Sequence, residues 1–299
     1  MAFITVITPT YNRAHTLLKL YESLCNQSCI DFEWLIIDDG SSDNTEQIIG
    51  GFTALFSIKY IKKKNGGKHT ALNIGIKEIT TDLTIIVDSD DQLMPNAINT
   101  IKQYYKKYQS DMSIGALSFL KCYSNGKPVI NMDKSEFVDS YIHYRIKKNK
   151  PGDMAEVFLT RVLKEYPFPQ FEEERFLSED VVWIEIGKKY LFVFINIPIY
   201  ICEYMDDGLT VNDKLSKFKS PLGSMTRGMQ LMTKECGLMI NIKGAIIYNC
   251  YKIEFGNNIP KNLKVIGRKK ILVFLTRPFG LIFNYIWKMD GLKDGRSIK

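Results

Sequence analysis

The sequence predicts an α/β fold whose sheet is mostly parallel and covered by helices. Over the first 125 of 299 residues, short apolar runs alternate with segments of helical periodicity, which is the pattern of βαβ units. Polar clusters follow three of the predicted strands, at 8–13, 38–43 and 88–91. Ligands of such sheets bind beyond the carboxyl ends of the strands, so we expect the three clusters to lie at one edge.

Two strand–helix pairs account for the first 55 residues. The apolar strand at 3–9 precedes a helix at 14–24, in which apolar side chains recur every three or four positions. The strand at 33–38 precedes a helix that one of two serines, Ser41 or Ser42, can cap. We expect that helix to run through residue 55.

Two further pairs follow. The strand at 57–62 precedes a helix at 68–79, and the strand at 83–88 precedes a helix that ends near Tyr108. Pro95 marks the start of this last helix, because proline fits the first helical turn. A mostly parallel sheet of at least four strands is therefore expected in this half.

The middle of the chain is less regular. Strands at 113–123 and 190–201 enclose a short strand, a helix and a turn within 152–169. Ser178 can cap a helix over 178–190, whose first turn carries two acids. We expect one domain over 1–215, in two halves at 1–110 and 111–215, followed by a helical, basic region at 216–299.

Composition narrows the class of protein. The six cysteines form no CxxC pair and the three histidines are scattered, which argues against a zinc site and favours a reducing, cytosolic compartment. The chain enters a strand pattern at once, so we expect no signal peptide. Of the net charge of +7, residues 261–299 supply +8, from ten Lys and Arg against two Asp. The first 260 residues carry −1, and we expect no nucleic-acid partner.

Three carboxylates crowd the end of the fourth predicted strand, at Asp88, Asp90 and Asp91. They either cap the next helix in water or need a cation, because like charges this close disfavour joint ionisation. One acid suffices for a cap, whereas Asp-x-Asp at a strand end suits Mg²⁺ or Mn²⁺ that also binds a diphosphate. An aspartyl-nucleophile hydrolase would carry the motif after its first strand.

Other phosphate-binding motifs are absent from the sequence. A Walker A loop around 65–73 would need glycine where Lys62 stands, and no G-x-G-x-x-G follows an early strand. Lys68 is either a neighbour of a diphosphate or a solvated lysine at a helix start. The clusters themselves also allow plainer interpretations, as turns and helix caps.

Taken together, the stretches TPTYNR, IIDDGSSDNT and IIVDSDD resemble those of the inverting GT-A glycosyltransferases of family 2, which act in bacterial capsule and exopolysaccharide synthesis. The resemblance is strong over 3–125 and weaker to about 215. It implies a GT-A fold, a nucleotide-sugar donor that is usually a UDP-sugar, a divalent cation (Mn²⁺ or Mg²⁺) and a saccharide acceptor. By the same resemblance 1–215 is the catalytic domain, with a nucleotide-sugar-binding half at 1–110 and an acceptor half at 111–215.

The resemblance also implies roles for individual residues. Tyr11 would stack on the base and Asp38 would accept a hydrogen bond from it. Asp90 would bind the metal directly, with Asp88 nearer both ribose and metal. The full donor-binding set that it implies is Thr8, Tyr11, Arg13, Asp38, Asp39, Lys68, Asp88 and Ser89.

Inverting transfer needs a base for the acceptor hydroxyl. By the same resemblance Asp180, in SEDVVW, is that catalytic base, and Glu179, Trp183 and Asp207 belong to the acceptor region. The helix dipole alone would explain acids in a first turn, but not the order of the motifs. The alternatives are a nucleotidyltransferase that releases pyrophosphate and a non-catalytic subunit that binds a sugar nucleotide.

The basic C-terminal segment, residues 261–299, predicts where in the cell the protein acts. Residues 271–287 are apolar, but Arg277 and Pro278 interrupt them, and seventeen residues are too few for a comfortable membrane span. Aromatic and aliphatic side chains among lysines predict contact of 261–299 with an anionic membrane surface; packing on the domain or a partner chain is the alternative. We therefore expect a cytoplasmic protein, peripheral on the inner face of the cell membrane, with a lipid-linked acceptor. The oligomeric state stays open.

Overall fold

The structure is a computed structural model that describes residues 2–150, 152–203, 213–256 and 259–293. Its strands are β1 (Ile4–Thr10), β2 (Phe32–Asp38), β3 (Ser57–Lys62), β4 (Leu83–Ile86), β5 (Gln92–Leu93), β6 (Ile114–Cys122), β7 (Glu136–Asp139), β8 (Met154–Leu159) and β9 (Leu191–Ile201). Its α-helices are α1 (Ala14–Cys25), α2 (Thr45–Gly50), α3 (Lys68–Glu78), α4 (Ala97–Tyr108), α5 (Thr160–Glu165), α6 (Asp180–Ile186), α7 (Asp213–Lys219), α8 (Pro221–Leu231), α9 (Leu238–Phe255), α10 (Arg268–Leu275) and α11 (Arg277–Lys293). A π-helix spans Ile142–Lys147 and a 3₁₀-helix spans Lys261–Leu263.

All nine strands belong to one sheet, in which the order is β3-β2-β1-β4-β8-β6-β9-β5 and β7 also pairs with β9. The first four strands of that order are parallel. In the other half β8 runs antiparallel between β4 and β6, whereas β6 and β9 are parallel. The expected α/β fold with a mostly parallel sheet, flanked by helices and followed by a helical C-terminal region, is confirmed.

Burial explains why the strands could be read from the sequence. Every residue of β1 and β2 is buried, as expected for parallel strands covered on both faces. One apolar core continues from β1 through the second half of the sheet and into the C-terminal helices. Its largest fully buried side chains include Trp34, Phe119, Phe158 and Phe192.

Several boundaries differ from the sequence-based prediction. The helix expected from Ser41 or Ser42 through residue 55 begins only at Thr45 and ends at Gly50. The reason is that both serines belong to the loop after β2, where the Ser41 amide donates to Asp38 Oδ1 at 2.7 Å. The strand predicted at 83–88 ends at 86, and the helix predicted at 178–190 spans only α6. Strands β5 and β7 and the π-helix were not predicted.

The C-terminal helices pack onto the α/β region. The carboxylate of Glu174 accepts hydrogen bonds from the amides of Leu222 at 2.7 Å and Gly223 at 2.8 Å, which ties the start of α8 to the loop before α6. Helices α8 and α9 cross at a close contact between Gly228 and Gly244, where an added Cβ would lie under 3 Å from the other backbone. This crossing holds α8 in place beside the candidate active-site cavity.

Helix α11 packs one face on α9 and exposes the other. On the packed face Asn284 Nδ2 donates to the Cys250 carbonyl at 3.0 Å. On the exposed side of α10 and α11, apolar side chains such as Phe274 (74% exposed) and Tyr285 (67% exposed) face solvent. Within the described ranges, we find no helix that combines the length and the apolar character a membrane span requires.

Candidate active site

A cavity of about 780 Å³ opens at the carboxyl edge of the sheet. Its wall includes residues from the ends of β1, β2 and β4, so the three polar clusters do lie at one edge, as predicted. Helices α6, α8 and α9 close the other side. The predicted site residues on its wall are Tyr11, Arg13, Asp39, Lys68, Asp88, Ser89, Asp90, Glu179, Asp180 and Trp183.

Asn12 joins the loops after β1 and β2, both of which carry residues predicted to bind the sugar donor. This residue has a left-handed backbone with φ 51°, which asparagine tolerates better than most residues. Its side-chain oxygen accepts a hydrogen bond from the Ser42 amide at 2.8 Å, and its own amide donates to Ser41 Oγ at 2.9 Å. These hydrogen bonds stabilise the turn that carries Tyr11. Tyr11 is 46% exposed at the cavity mouth.

Two predicted base-binding residues do not reach the cavity wall. Thr8 is fully buried, and its hydroxyl oxygen accepts a hydrogen bond from Trp34 Nε1 at 2.9 Å. Asp38 is also fully buried, and its two oxygens accept from the Ser41 amide and the Tyr60 hydroxyl, each at 2.7 Å. Their side-chain polar atoms are paired within the fold, and the contacts with a nucleotide base that the resemblance implies for them stay predictions.

Of the two adjacent acids Asp38 and Asp39, Asp39 is the one that faces the cavity. Its oxygens accept hydrogen bonds from the amides of Gly66 at 2.9 Å and Gly67 at 2.7 Å, and Lys63 Nζ donates to it as well. Gly67 has φ +95° and passes so close to the Arg175 backbone that a Cβ would lie 2.1 Å from its carbonyl oxygen. Asp39 thus holds the loop that leads into α3 and places Lys68 at the first position of that helix.

Lys68 joins two carboxylates across the cavity. Its Nζ lies 2.5 Å from Asp88 Oδ1 and 2.7 Å from Glu179 Oε1. Burial disfavours the charged lysine, but the two carboxylates outweigh burial and raise the pKa of Lys68. Burial likewise opposes ionisation of Asp88, yet Lys68 and Lys121 lower the pKa of Asp88. Lys68 and Asp88 are therefore both charged at neutral pH.

The three clustered acids differ in role. Asp91 is buried; its Oδ2 accepts from the Tyr200 hydroxyl at 2.7 Å and its Oδ1 from the Glu203 amide at 2.9 Å. Burial raises the pKa of Asp91 to about 7. Asp91 borders the cavity together with Asp88 and Asp90, but its two oxygens anchor the turn after β4 to β9 and to Glu203 beyond it.

Asp88 and Asp90 suit one divalent cation. Burial, together with the nearby charge of Asp88, raises the pKa of Asp90, which is the repulsion that a shared cation would relieve. Within the described ranges, no group of three or more His, Cys, Asp and Glu side chains forms a complete metal site. Two carboxylates fit a Mg²⁺ or Mn²⁺ ion that takes its other ligands from a diphosphate and water.

Asp180, the predicted catalytic base, is held by two side chains. Ser178 Oγ donates to Asp180 Oδ1 at 2.6 Å, and Arg227 Nε lies 2.7 Å from Oδ2 and 3.0 Å from Oδ1. Arg227 is on α8, beyond the predicted domain boundary at 215, so the helical region takes part in this site. Trp183 lies behind the base, with its ring centroid 4.3 Å from that of Phe158. Asp207, also predicted here, lies outside the described residues.

Several charged residues on the wall were not singled out from the sequence, among them Lys121, Glu156, Arg145 and Arg227. Lys121 ends β6, where the strand-end argument used for the other clusters would have found it. Glu156, Arg145 and Arg227 lie inside elements, and no local pattern marks them. Burial raises the pKa of Glu156 to about 7.

Comparison with known proteins places this chain in a family. Residues 5–158, just over half of the chain, match the model of glycosyl transferase family 2. Poly(ribitol-phosphate) beta-N-acetylglucosaminyltransferase TarP of Staphylococcus aureus is 32% identical over 154 residues, which are 49% of this chain and 47% of that protein. Chondroitin synthase of Escherichia coli is 36% identical over 98 residues, or 32% of this chain and 14% of that protein. The chain spans less than half the length of these relatives.

Solved structures show the same fold over nearly the whole chain. S. aureus TarS 1–349 in complex with UDP has a TM-score of 0.63 at 16% identity, and the match covers 100% of this chain and 93% of that one. Mannosyltransferase PcManGT from Pyrobaculum calidifontis, in complex with GDP-Man and Mn²⁺, has a TM-score of 0.53 at 16% identity and covers 99% and 76%. The GT-A fold is thereby confirmed, and with the family match it establishes that this chain is a member of glycosyl transferase family 2.

Proposed function

We propose that this chain is an inverting glycosyltransferase that moves a sugar from a nucleoside diphosphate sugar, with uridine as the expected base, to a saccharide acceptor. The observation that carries the proposal is the Lys68 bridge between Asp88 and Glu179, which stands beside Asp180 in a single cavity. Names of relatives agree with it, since TarP is a beta-N-acetylglucosaminyltransferase and TarS was crystallised with UDP.

The donor end of the cavity is suited to a nucleotide and its diphosphate. Tyr11 offers an exposed ring at the mouth, and Lys68 and Lys121 supply positive charge deeper inside. Asp88 and Asp90 would hold Mn²⁺ or Mg²⁺. When bound, the cation would offset the charge on the leaving diphosphate.

The chemical step assigned here is a single displacement. The acceptor oxygen bonds to the anomeric carbon as the bond from that carbon to the diphosphate oxygen breaks, and Asp180 takes the hydroxyl proton. Ser178 and Arg227 orient the carboxylate so that it does not rotate away from the acceptor. One displacement inverts the anomeric configuration.

The proposed acceptor is a lipid-linked saccharide in surface polysaccharide synthesis, used at the inner face of the cell membrane. Two features support a peripheral position there. Residues 261–299 carry ten Lys and Arg against two Asp, and α10 with α11 expose a row of apolar side chains. Such a surface suits the interface of an anionic bilayer.

Donor turnover tests the proposal directly. The full chain should release UDP from at least one UDP-sugar in a panel, and excess chelator should abolish both this turnover and tight UDP binding. Asp90→Asn should remove the cation dependence while the protein still unfolds at the wild-type Tm.

Other outcomes would assign a different function. Release of pyrophosphate from a nucleoside triphosphate would identify a nucleotidyltransferase. Binding of UDP-sugars without turnover, with or without acceptor, would identify a non-catalytic subunit. Wild-type turnover by Asp90→Asn in chelator would refute the metal assignment.

A further inference from the structure

Arg145 presents an unsatisfied charge to the cavity. It lies in the π-helix, and its Nη2 donates to the Gly152 carbonyl. Its Nε and Nη1 are shut off from solvent and, within the described residues, make no well-formed hydrogen bond, although the Tyr141 side chain lies close to the guanidinium. Leaving donors of a charged group unpaired and buried is costly, so these two N–H groups call for a partner.

A structural role accounts for only part of this arrangement. The bond to Gly152 fastens the loop after the π-helix, but it uses a single nitrogen of the guanidinium. π-Helices are rare and occur frequently at functional sites. The two remaining nitrogens lie on a residue that lines the cavity, where a substrate group can reach them.

Glu156 supplies the complementary acceptor on the same wall. It lies on β8 opposite Ser118 of β6, whose hydroxyl is 3.4 Å from Glu156 Oε1, a long hydrogen bond. Burial raises the pKa of Glu156, against the opposing charges of Arg145 and Lys121. The wall therefore combines unpaired donors with a carboxyl group that lacks a strong partner.

This wall adjoins the reacting groups. The cavity is lined by Tyr141, Arg145, Glu156 and Asp180, and Tyr141 packs against Gly187 at the end of α6, the helix that Asp180 begins. The charge of Glu179 adds to the rise in the pKa of Glu156 that burial causes. Arg145, Glu156 and Tyr141 thus line the part of the cavity that contains the predicted base.

We propose that Arg145 and Glu156 form a subsite for the hydroxyl groups of a pyranose. A sugar hydroxyl both accepts and donates, so its oxygen can accept from Arg145 while an O–H of the same ring donates to Glu156. A simple anion fits less well, because it would face the carboxyl group of Glu156. The inference rests on the proposed function, and the ring belongs either to the transferred sugar or to the acceptor, which meet at Asp180.

Glu156→Gln and Arg145→Met test the subsite, with Lys147→Met, an exposed residue of the same π-helix, as matched control. We would measure Tm, the affinities for UDP and for the UDP-sugar that the wild type turns over, donor hydrolysis without acceptor, and KM for aryl glycosides as acceptors. UDP lacks the transferred sugar, so its affinity should stay within about twofold. Arg145→Met loses a hydrogen bond from a charged donor, so the affected step should weaken about tenfold or more. Glu156→Gln keeps an oxygen that accepts a hydrogen bond and loses only the stronger acceptance of a carboxylate, so its effect should be in the same direction but smaller.

The measurements distinguish the two sources of the sugar. If the transferred sugar occupies the subsite, UDP-sugar affinity falls while UDP affinity holds, and a deoxy donor that lacks the contacted hydroxyl is bound equally by wild type and variant. If the acceptor occupies it, acceptor KM rises while donor hydrolysis is unchanged. Either result supports the proposal.

Three results would overturn it. Unchanged donor affinity, hydrolysis and acceptor KM in Arg145→Met and Glu156→Gln alike would show that the two residues contact no sugar hydroxyl. An equal loss of UDP and UDP-sugar affinity would assign both residues to nucleotide binding or to folding. Wild-type protein that neither binds nor turns over any UDP-sugar would remove the proposed function and the subsite together, whereas wild-type turnover with unaffected variants would remove the subsite alone.

Discussion

Replacing Arg227 by methionine tests whether the C-terminal helices take part in the chemistry. Arg227 Nε lies 2.7 Å and 3.0 Å from the two oxygens of Asp180, so one N–H is shared between them and counts as a single charge-assisted bond. Such a bond contributes about 1.5–3 kcal/mol. The two side chains are 28% and 18% exposed, and solvent screening lowers the figure to about 1–2 kcal/mol.

If that energy orients the base in the transition state, kcat for sugar transfer should fall about 5- to 30-fold. The donor end of the cavity is untouched, so UDP affinity should stay within about twofold. Arg227→Lys should recover part of the loss, and added guanidinium should partly rescue Arg227→Ala, because a purely structural defect would not respond to the free ion.

Lys252→Met, on α9 and away from the cavity wall, is the control for loss of a positive charge in the same helical region. The reasoning is refuted if kcat of Arg227→Met stays within twofold of wild type. It is also refuted if kcat, UDP affinity and Tm fall together, since Arg227 would then serve folding.

Three further predictions concern chemistry, packing and location. Asp180→Asn keeps the size of the side chain but removes the proton acceptor, so the transfer rate should fall at least about 100-fold with UDP affinity nearly unchanged; a parallel loss of UDP affinity would contradict the assignment. Gly228→Ala would place a Cβ 2.8 Å from the Gly244 oxygen and the Tyr248 nitrogen and should cost about 1–3 kcal/mol in denaturant unfolding, whereas Gly50→Ala, with no atom within 4 Å, should be neutral or slightly stabilising. The full chain should co-sediment with anionic vesicles at low salt, because each Lys or Arg near the membrane surface contributes about 1 kcal/mol to the binding free energy. High salt should release the chain only partly, and Phe274→Ser with Tyr285→Ser should increase that release. Failure to bind at low salt would exclude the membrane role.

A fourth prediction follows from the buried carboxyl of Asp91. Its folded-state pKa, raised by burial to about 7, lies above the ordinary 3.8, so the folded protein favours the protonated form. The stability from this group is full below about pH 4 and is lost as pH rises through about 7. Asp91→Asn should therefore flatten the decline of Tm between pH 5 and pH 8, and an unchanged slope would show that Asp91 does not titrate in this range.

The elements and the edge that carries the site could be predicted because both depend on local patterns. Continuous apolar runs mark buried parallel strands, and parallel strands must bring their carboxyl ends to one edge. This is why the clusters that hold Tyr11, Asp88 and Asp90 were expected at one edge, and these three residues line the cavity. Asp180, which also lines it, was predicted from the family resemblance and not from a strand end. Helix and strand ends were less well predicted, since side chains such as Asp38 capture nearby amides and delay the start of α2.

Only the tertiary structure decided which of two similar neighbours faces the cavity and what lies opposite it. Asp38 and Asp39 are adjacent and identical in type, but the turn after β2 directs one to Tyr60 inside and the other to the loop before α3. The partner of Asp180 is 47 residues away on another helix, and Glu156 meets Ser118 through the pairing of β8 with β6. Contacts at such distances depend on how helices and strands pack, and no local pattern of residues records that packing.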